Sequence, residues 1–394
     1  MQKSTRFPSS FISSVLLRAS LLAGILTACS SSATSAPTTD VGIALTQAYE
    51  TVVAQMQPTQ TPLPTETPIP TATVPRTPPA LPGVFSTSQL NPLDTPHTYI
   101  QDTCQYLYDK WNSNNAAPGT VVMVIMLHGI KKEAADVTAN DITVQDFRQM
   151  MNDLKEQGFE AITANQMADF MDHNAKIPQR SVLIIQDDRR TGENFNDHFR
   201  PFYEKWGWPV VNAWISAEDG PRALSLQDNI ALEAEGWVDH QSHGYIHNIN
   251  MTDSATDEFI RTEFEKSKAD LEQNFHKTPV AIIWPGGGFG VRPVQIAREY
   301  GYRLGFTVNP RGPVMFNWVP LADQADPARP AYLAEGYVND PRMVLPRYWP
   351  YQVQANLDIV RNIGNQATEY ARQNKAIELE YYDIMCAPTL GPIP

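Results

Sequence analysis

Two aspartates stand side by side at the end of an apolar run. Ser181-Val-Leu-Ile-Ile-Gln-Asp-Asp188 reads as a buried strand of a parallel sheet that passes without a break into Asp187 and Asp188. A buried carboxylate is costly unless it is paired. A strand that ends in two therefore points to a cation or to catalysis at its carboxyl end. A solvated turn or a helix N-cap accounts for the pair equally well on its own. The second cluster is His240-Gln-Ser-His243-Gly-Tyr-Ile-His247, which gathers three of the chain's 8 histidines. His243 and His247 are spaced so that a helical turn puts both imidazoles on one face. Two imidazoles and a carboxylate, with a position left open for water, make a catalytic zinc-type site, and Asp188 supplies the carboxylate from a neighbouring strand end. A histidine-rich surface loop is the plain alternative. A third candidate, His128, ends the apolar run Val121-Val-Met-Val-Ile-Met-Leu127 and so lies on the same rim; the alternative for it is a satisfied core histidine.

Alternating segments must position these residues. The spacing predicts helices over 99–111, 143–158, 164–173, 226–235, 254–275, 293–300 and 352–374. Strands are predicted over 121–127, 181–187, 210–215, 280–284, 304–308 and 343–345. Such alternation predicts a parallel α/β sheet, open or closed into a barrel.

The chain has 394 residues and a net charge of -13, which argues against binding nucleic acid through bulk charge. Gly286-Gly-Gly-Phe-Gly290 follows a strand, but it lacks the spacing of a nucleotide-phosphate loop, so no nucleotide is expected. No G-x-S-x-G is present for a serine esterase. Lys3, Arg6 and Arg18 precede an apolar stretch, 19–28, that is too short to span a bilayer and ends Leu26-Thr-Ala-Cys29. That ending resembles a bacterial lipobox. It implies a signal peptide over 1–28, lipid on Cys29, and an exported protein held at a membrane. Residues 29–95 then read as a Ser/Thr/Pro-rich tether with one short helix, 41–56. Its Pro58–Pro82 stretch, as extended polyproline-like chain, reaches on the order of 75 Å. The folded domain is expected over 96–394. In an exported chain Cys104 and Cys386 are a disulfide candidate, two buried free thiols being the alternative.

Together the motifs resemble the polysaccharide deacetylase family, the NodB-homology domain of carbohydrate esterase family 4. Asp187-Asp188 at a strand end, a later His243-x-x-x-His247, and Ile282-Ile-Trp-Pro-Gly-Gly-Gly-Phe-Gly290 after a strand follow that family's order. Met126-Leu-His128-Gly-Ile, Ile142-Thr-x-x-x-Phe147 and Leu154-Lys-x-x-Gly158-Phe resemble the branch that acts on poly-N-acetylglucosamine. The resemblance implies a distorted (β/α) barrel and hydrolysis of N-acetyl amides on an acetylated polysaccharide. It assigns Asp188, His243 and His247 to a divalent metal, with Zn2+ the expected ion, Asp187 to the general base and His128 to the general acid. It places Trp284, Gly287 and Arg347 at the substrate and oxyanion rim, Arg347 also standing in for the arginine that orients the base. Gln186 and Arg189 flank the aspartates where the family usually has an aromatic residue and a glycine, and the third motif lacks its usual tyrosine. A second reading follows, a degenerate member that binds glycan without hydrolysing it. Metal-dependent release of acetate separates the two.

Overall fold

The computed structural model describes residues 41–55, 76–87, 90–246, 249–327 and 332–394. The expected signal peptide, Cys29, His247 and much of the tether lie outside those residues. Val41–Gln55 is a helix described by itself, and it leaves Ile43, Leu45, Tyr49, Val52 and Val53 exposed. Among the described residues no helix is long and apolar enough to cross a membrane.

The chain divides into two compact units, Met1–Thr73 and Val74–Pro394, and in the second six parallel strands lie side by side in chain order: β1 (Val121–Leu127), β2 (Arg180–Gln186), β3 (Val210–Trp214), β4 (Val238–Ser242), β5 (Ala281–Ile283) and β6 (Leu304–Phe306). The short strand Glu160–Ala161 pairs with β2 near its start. Because neighbours in space are neighbours in sequence and all run one way, each connection crosses over, and helices cover the sheet. All of β1, and all of β2 but Arg180, is buried. Burial on both faces is why these strands read as unbroken apolar runs rather than alternating ones. Threonine caps start the flanking helices where the sequence places them. Thr143 caps Val144–Glu156, and Thr163 forms a full capping box over Ala164–His173.

The sheet curls into a distorted (β/α) half-barrel. Its outer strands, β1 and β6, are both bridged by one late segment: Leu345 pairs with Phe306, and Tyr348 with Ile125. Leu345 N–H donates to Gly305 O (2.8 Å) and Tyr348 N–H to Val124 O (2.7 Å). The strand expected over 343–345 is instead a 3-10 turn, Pro341–Met343, followed by these isolated bridges. Pro346 has no N–H to donate to a ladder, so the segment crosses the gap without becoming a strand.

Packing starts earlier in the chain than residue 96. Phe85 meets Trp318 and Tyr370, with ring centroids at 5.9 and 5.6 Å, and Leu81 packs on Leu107, Tyr382 and Cys386. The proline-rich composition hid these two anchors. The long helix Pro350–Met385 runs well past the expected 374 and ends at Cys386, which is disulfide-bonded to Cys104 across 282 residues of sequence. Cutting so long a loop frees the unfolded chain, so Cys386→Ser is expected to lower unfolding free energy by about 2–5 kcal/mol. Urea unfolding with and without reductant checks this. Wild type in reductant should match the variant.

Candidate active site

Four candidate site residues sit at the carboxyl ends of strands in one sheet. His128 follows β1, Asp187 and Asp188 follow β2, and His243 follows β4. Asp187 N–H donates to Leu127 O (2.7 Å). Gln186, fully buried, turns its carboxamide NH2 to Leu127 O (3.1 Å), His128 O (2.7 Å) and Asp187 O (2.9 Å). The residue that replaces the usual aromatic thus fastens the ends of β1 and β2 to each other and fixes His128 relative to Asp187.

Asp187 is 2% exposed. Arg347, fully buried, donates from Nη1 to its Oδ1 (2.5 Å) and from Nε to Thr307 O (2.6 Å). Burial pushes the Asp187 carboxyl up, but the Arg347 guanidinium, with His128 and His243 beside it, holds it below the ordinary carboxylate value. The other carboxylate oxygen, Oδ2, lies 3.6 Å from His128 Nε2, an ion-pair distance rather than a hydrogen bond. His128 stacks on Trp349 (5.5 Å between centroids), which stacks in turn on Tyr351 (6.3 Å). Burial is the main influence on the His128 ring and lowers its pKa from the ordinary imidazole value; Asp187 pulls the other way.

Asp188 stands in the left-handed region, φ 63°, uncommon for a residue with a side chain. The kink turns its carboxylate away from that of Asp187. Its Oδ1 faces His243 Nε2 at 3.8 Å and its Oδ2 faces Arg190 Nη2 at 3.2 Å. His243 Nδ1 lies 2.8 Å from Ile283 O. A carbonyl only accepts, so Nδ1 carries the ring proton and Nε2 presents a lone pair toward Asp188. A ring N–H held by a backbone carbonyl in this way is what fixes the orientation of metal-ligating histidines. The 3.8 Å gap is shorter than two metal–ligand bonds of roughly 2.0–2.2 Å laid end to end, so this oxygen and nitrogen fit one divalent ion. Among the described residues no three such side chains converge, and His247, the expected third ligand, lies outside them.

Four expectations need correction. The segment after β4 is a bend and not a helical turn: Gly244 takes φ 76°, and buried Glu263 accepts the N–H groups of Tyr245 (2.7 Å) and Ile246 (2.9 Å). Trp284 is not on the rim. It is fully buried, and its indole N–H donates to Met343 O (2.8 Å). Gly287 is buried too, and its N–H donates to Trp284 O (2.9 Å), so it offers no oxyanion donor. A glycine is required there because the backbone is at φ 72° and a Cβ would meet Val308 at 2.5 Å. Arg347 is interior and grips Asp187 rather than standing on the rim. Arg189, which stands where the family usually has a glycine, reaches Ile215 O, Ala217 O and both carboxylate oxygens of Asp219. The next residue, Arg190, is the one that meets Asp188.

The curled parallel sheet thus carries on its carboxyl rim a carboxylate pair facing one imidazole each. Residues 179–305 match the family model described as polysaccharide deacetylase, and the chain carries a domain of that family, the NodB or carbohydrate esterase family 4 type. YxkH of Bacillus subtilis, which is named for the same family, is 23% identical over 189 residues, 48% of this chain and 64% of that protein; the chain therefore matches a little under two thirds of its length. Among solved structures, the Streptococcus pyogenes deacetylase PplD in complex with acetate aligns with TM-score 0.48 and 19% identity over 62% of this chain and 99% of that one. IcaB from Ammonifex degensii aligns with TM-score 0.46 and 17% identity over 62% and 98%.

Proposed function

We propose that this domain hydrolyses N-acetyl groups on a polysaccharide, using a divalent metal at the carboxyl ends of β2 and β4. The observation that carries the reading is the division of labour in the aspartate pair. Asp187 is buried, ionised and gripped by Arg347, while Asp188 is kinked away toward the lone pair of His243. Asp188 and His243, with His247, would hold the ion, and the donor set suits zinc. When bound, it supplies Lewis acidity toward the amide carbonyl and lowers the pKa of water to about 7. Asp187 takes the proton of the attacking water, and Arg347 keeps its carboxylate charged and aimed. Across the cleft His128 gives a proton to the departing amine nitrogen. Sugar rings stack on the exposed side of the Trp349–Tyr351 pair.

The same reading puts the protein outside the cytoplasm on a lipid at Cys29. The Leu26-Thr-Ala-Cys29 run supports this, and a Cys104–Cys386 disulfide suits an oxidising compartment.

The deciding experiment strips the protein with a chelator, restores zinc, and measures acetate released from an N-acetylglucosamine oligomer. Release should require the metal and disappear in Asp188→Asn. Release that survives chelation overturns the reading. Binding of the oligomer without release by zinc-loaded wild type would favour the glycan-binding alternative, for which the lack of a free Gly287 N–H on the rim is the specific support. Tyr351, 64% exposed, gives a milder prediction. Tyr351→Ala should raise KM roughly 2- to 13-fold with kcat unchanged, the range of one aromatic stacking contact, about 0.5–1.5 kcal/mol.

A further inference from the structure

His240 belongs to the same histidine run but turns away from the rim. Strand register sets Gln186, Asn212 and His240 side by side across β2, β3 and β4. Alternation along β2 puts this row on the face opposite Asp187. The helix Gly220–Ala234 lies over it and contributes Asn229 and Glu233, one turn apart. His240, Asn212 and Asn229 are all fully buried.

The hydrogen bonds around Asn229 leave no freedom. Its Nδ2 faces two carbonyls, Arg190 O and Ser225 O, both at 2.8 Å. Carbonyls only accept, so the amide cannot be flipped, and its Oδ1 is the acceptor for Asn212 Nδ2 (3.0 Å) and for His240 Nε2 (2.9 Å). The other ring nitrogen, Nδ1, lies 2.7 Å from Glu233 Oε2, which also accepts the backbone N–H of His240 (2.8 Å). Both ring nitrogens therefore face acceptors. A neutral imidazole carries one proton and would set a lone pair against an oxygen in a dry interior. Moving the proton to Glu233 is opposed by Lys277, whose ammonium lies 3.0 Å from Glu233 Oε1 and also pairs with Asp239. The cluster then holds two carboxylates and one ammonium, and an imidazolium makes its charges cancel. Phe275 and Trp214 close the remaining sides of the ring, at 4.2 and 5.7 Å between centroids. Burial outweighs Glu233 and lowers the ring's pKa from the ordinary imidazole value, so the second proton is required by the two facing acceptors and not by that shift.

We propose that His240 is a buried imidazolium and a positioning residue, which through Asn229 holds the Arg190 carbonyl and so fixes the turn that presents Asp187 and Asp188. Asn229 keeps its NH2 on Arg190 O because two donors, one of them this ring, occupy its Oδ1. Arg190 in turn reaches Asp188 Oδ2 (3.2 Å) and Asp187 O (3.3 Å) with its guanidinium. The chain of contacts thus runs from Glu233 to the left-handed Asp188. The consequence for catalysis rests on the deacetylase reading above; the charge on the ring does not.

Two measurements test it on the full chain. Imidazole nitrogen NMR of histidine-labelled wild type at neutral pH should show both His240 ring nitrogens protonated. One unprotonated nitrogen overturns the proposal. The second measurement is zinc affinity, by competition with a chromophoric chelator, in Asn229→Asp. This change keeps the side chain's size and pairs it with the imidazolium but removes the donor to Arg190 O. Zinc binding should weaken about 10- to 100-fold, the effect typical of a group that supports a ligand. Unchanged affinity sinks the link to the turn. Because neither readout uses turnover, a chain that releases no acetate would still answer both, and the NMR result stands even if the variant fails to fold.

Discussion

Replacing Arg347 by Met is expected to cost about 3–5 kcal/mol of stability at neutral pH and to reduce kcat about 100- to 10,000-fold. Arg347 is fully buried, and Asp187 is 2% exposed. Removing the cation leaves a carboxylate in the interior without its main partner, a far larger penalty than the pair's net worth as a contact. Its pKa must then rise, because burial, which pushes it up, is no longer held back by the guanidinium. The pH dependence follows with a definite sign. In wild type the folded carboxyl titrates below its unfolded value, so its contribution is present above roughly pH 3.9 and is lost as pH falls through the lower folded value. In the variant the folded carboxyl titrates higher, and ionising it opposes folding. The stability gap between the two proteins should therefore be full at pH 7 and shrink toward pH 4. Urea unfolding at several pH values reads this directly. A gap under about 1 kcal/mol, or one that does not change with pH, would refute the assigned role. Arg347→Lys should fall between. It keeps the charge but cannot span Asp187 Oδ1 and Thr307 O with one rigid fork.

Much of this site was legible in the sequence, and the reason is local. Strands buried on both faces carry no alternation, so 121–127 and 181–187 stand out as apolar runs. The residue that follows such a strand falls on the carboxyl rim, which gave His128, Asp187 and Asp188 together. What stayed hidden depends on backbone conformation or on distant closure. Which of two consecutive arginines meets the aspartates follows from the left-handed φ of Asp188, for which no propensity gives warning. Regular spacing suggested a helical turn for His243 and His247, yet Gly244 and the buried carboxylate of Glu263 make a bend. The grip of Arg347 on Asp187 spans 160 residues and depends on a segment that joins the sheet edges through single bridges. Trp284 was expected on the substrate rim because tryptophan serves both rims and cores; the indole bond to Met343 O decides for the core. The aromatic pair that does stand beside His128 is Trp349–Tyr351.

His128→Ala supplies the second large effect, and its signature is chemical rather than structural. The ring lies 3.6 Å from Asp187 and is braced by Trp349, and its Nδ1 is buried without a hydrogen-bond partner. Nε2 is therefore the nitrogen turned toward the reacting groups. An amide's nitrogen departs poorly unless it is protonated, so loss of the acid should lower kcat on an N-acetylated oligomer about 100- to 10,000-fold. An aryl acetate, whose phenolate leaves without help, should lose only a few-fold. Zinc content should stay unchanged, because His128 faces the base and not the Asp188–His243 pair. Burial lowers this imidazole's pKa below its ordinary 6.5. The protonated acid is thus depleted early, and wild-type kcat/KM on the oligomer should fall as pH rises through a value below 6.5. The variant's residual activity should lack that limb. Equal losses on the amide and the aryl ester would mean that the substitution had damaged the base or the metal site instead, and the role of His128 as proton donor would then have to be given up.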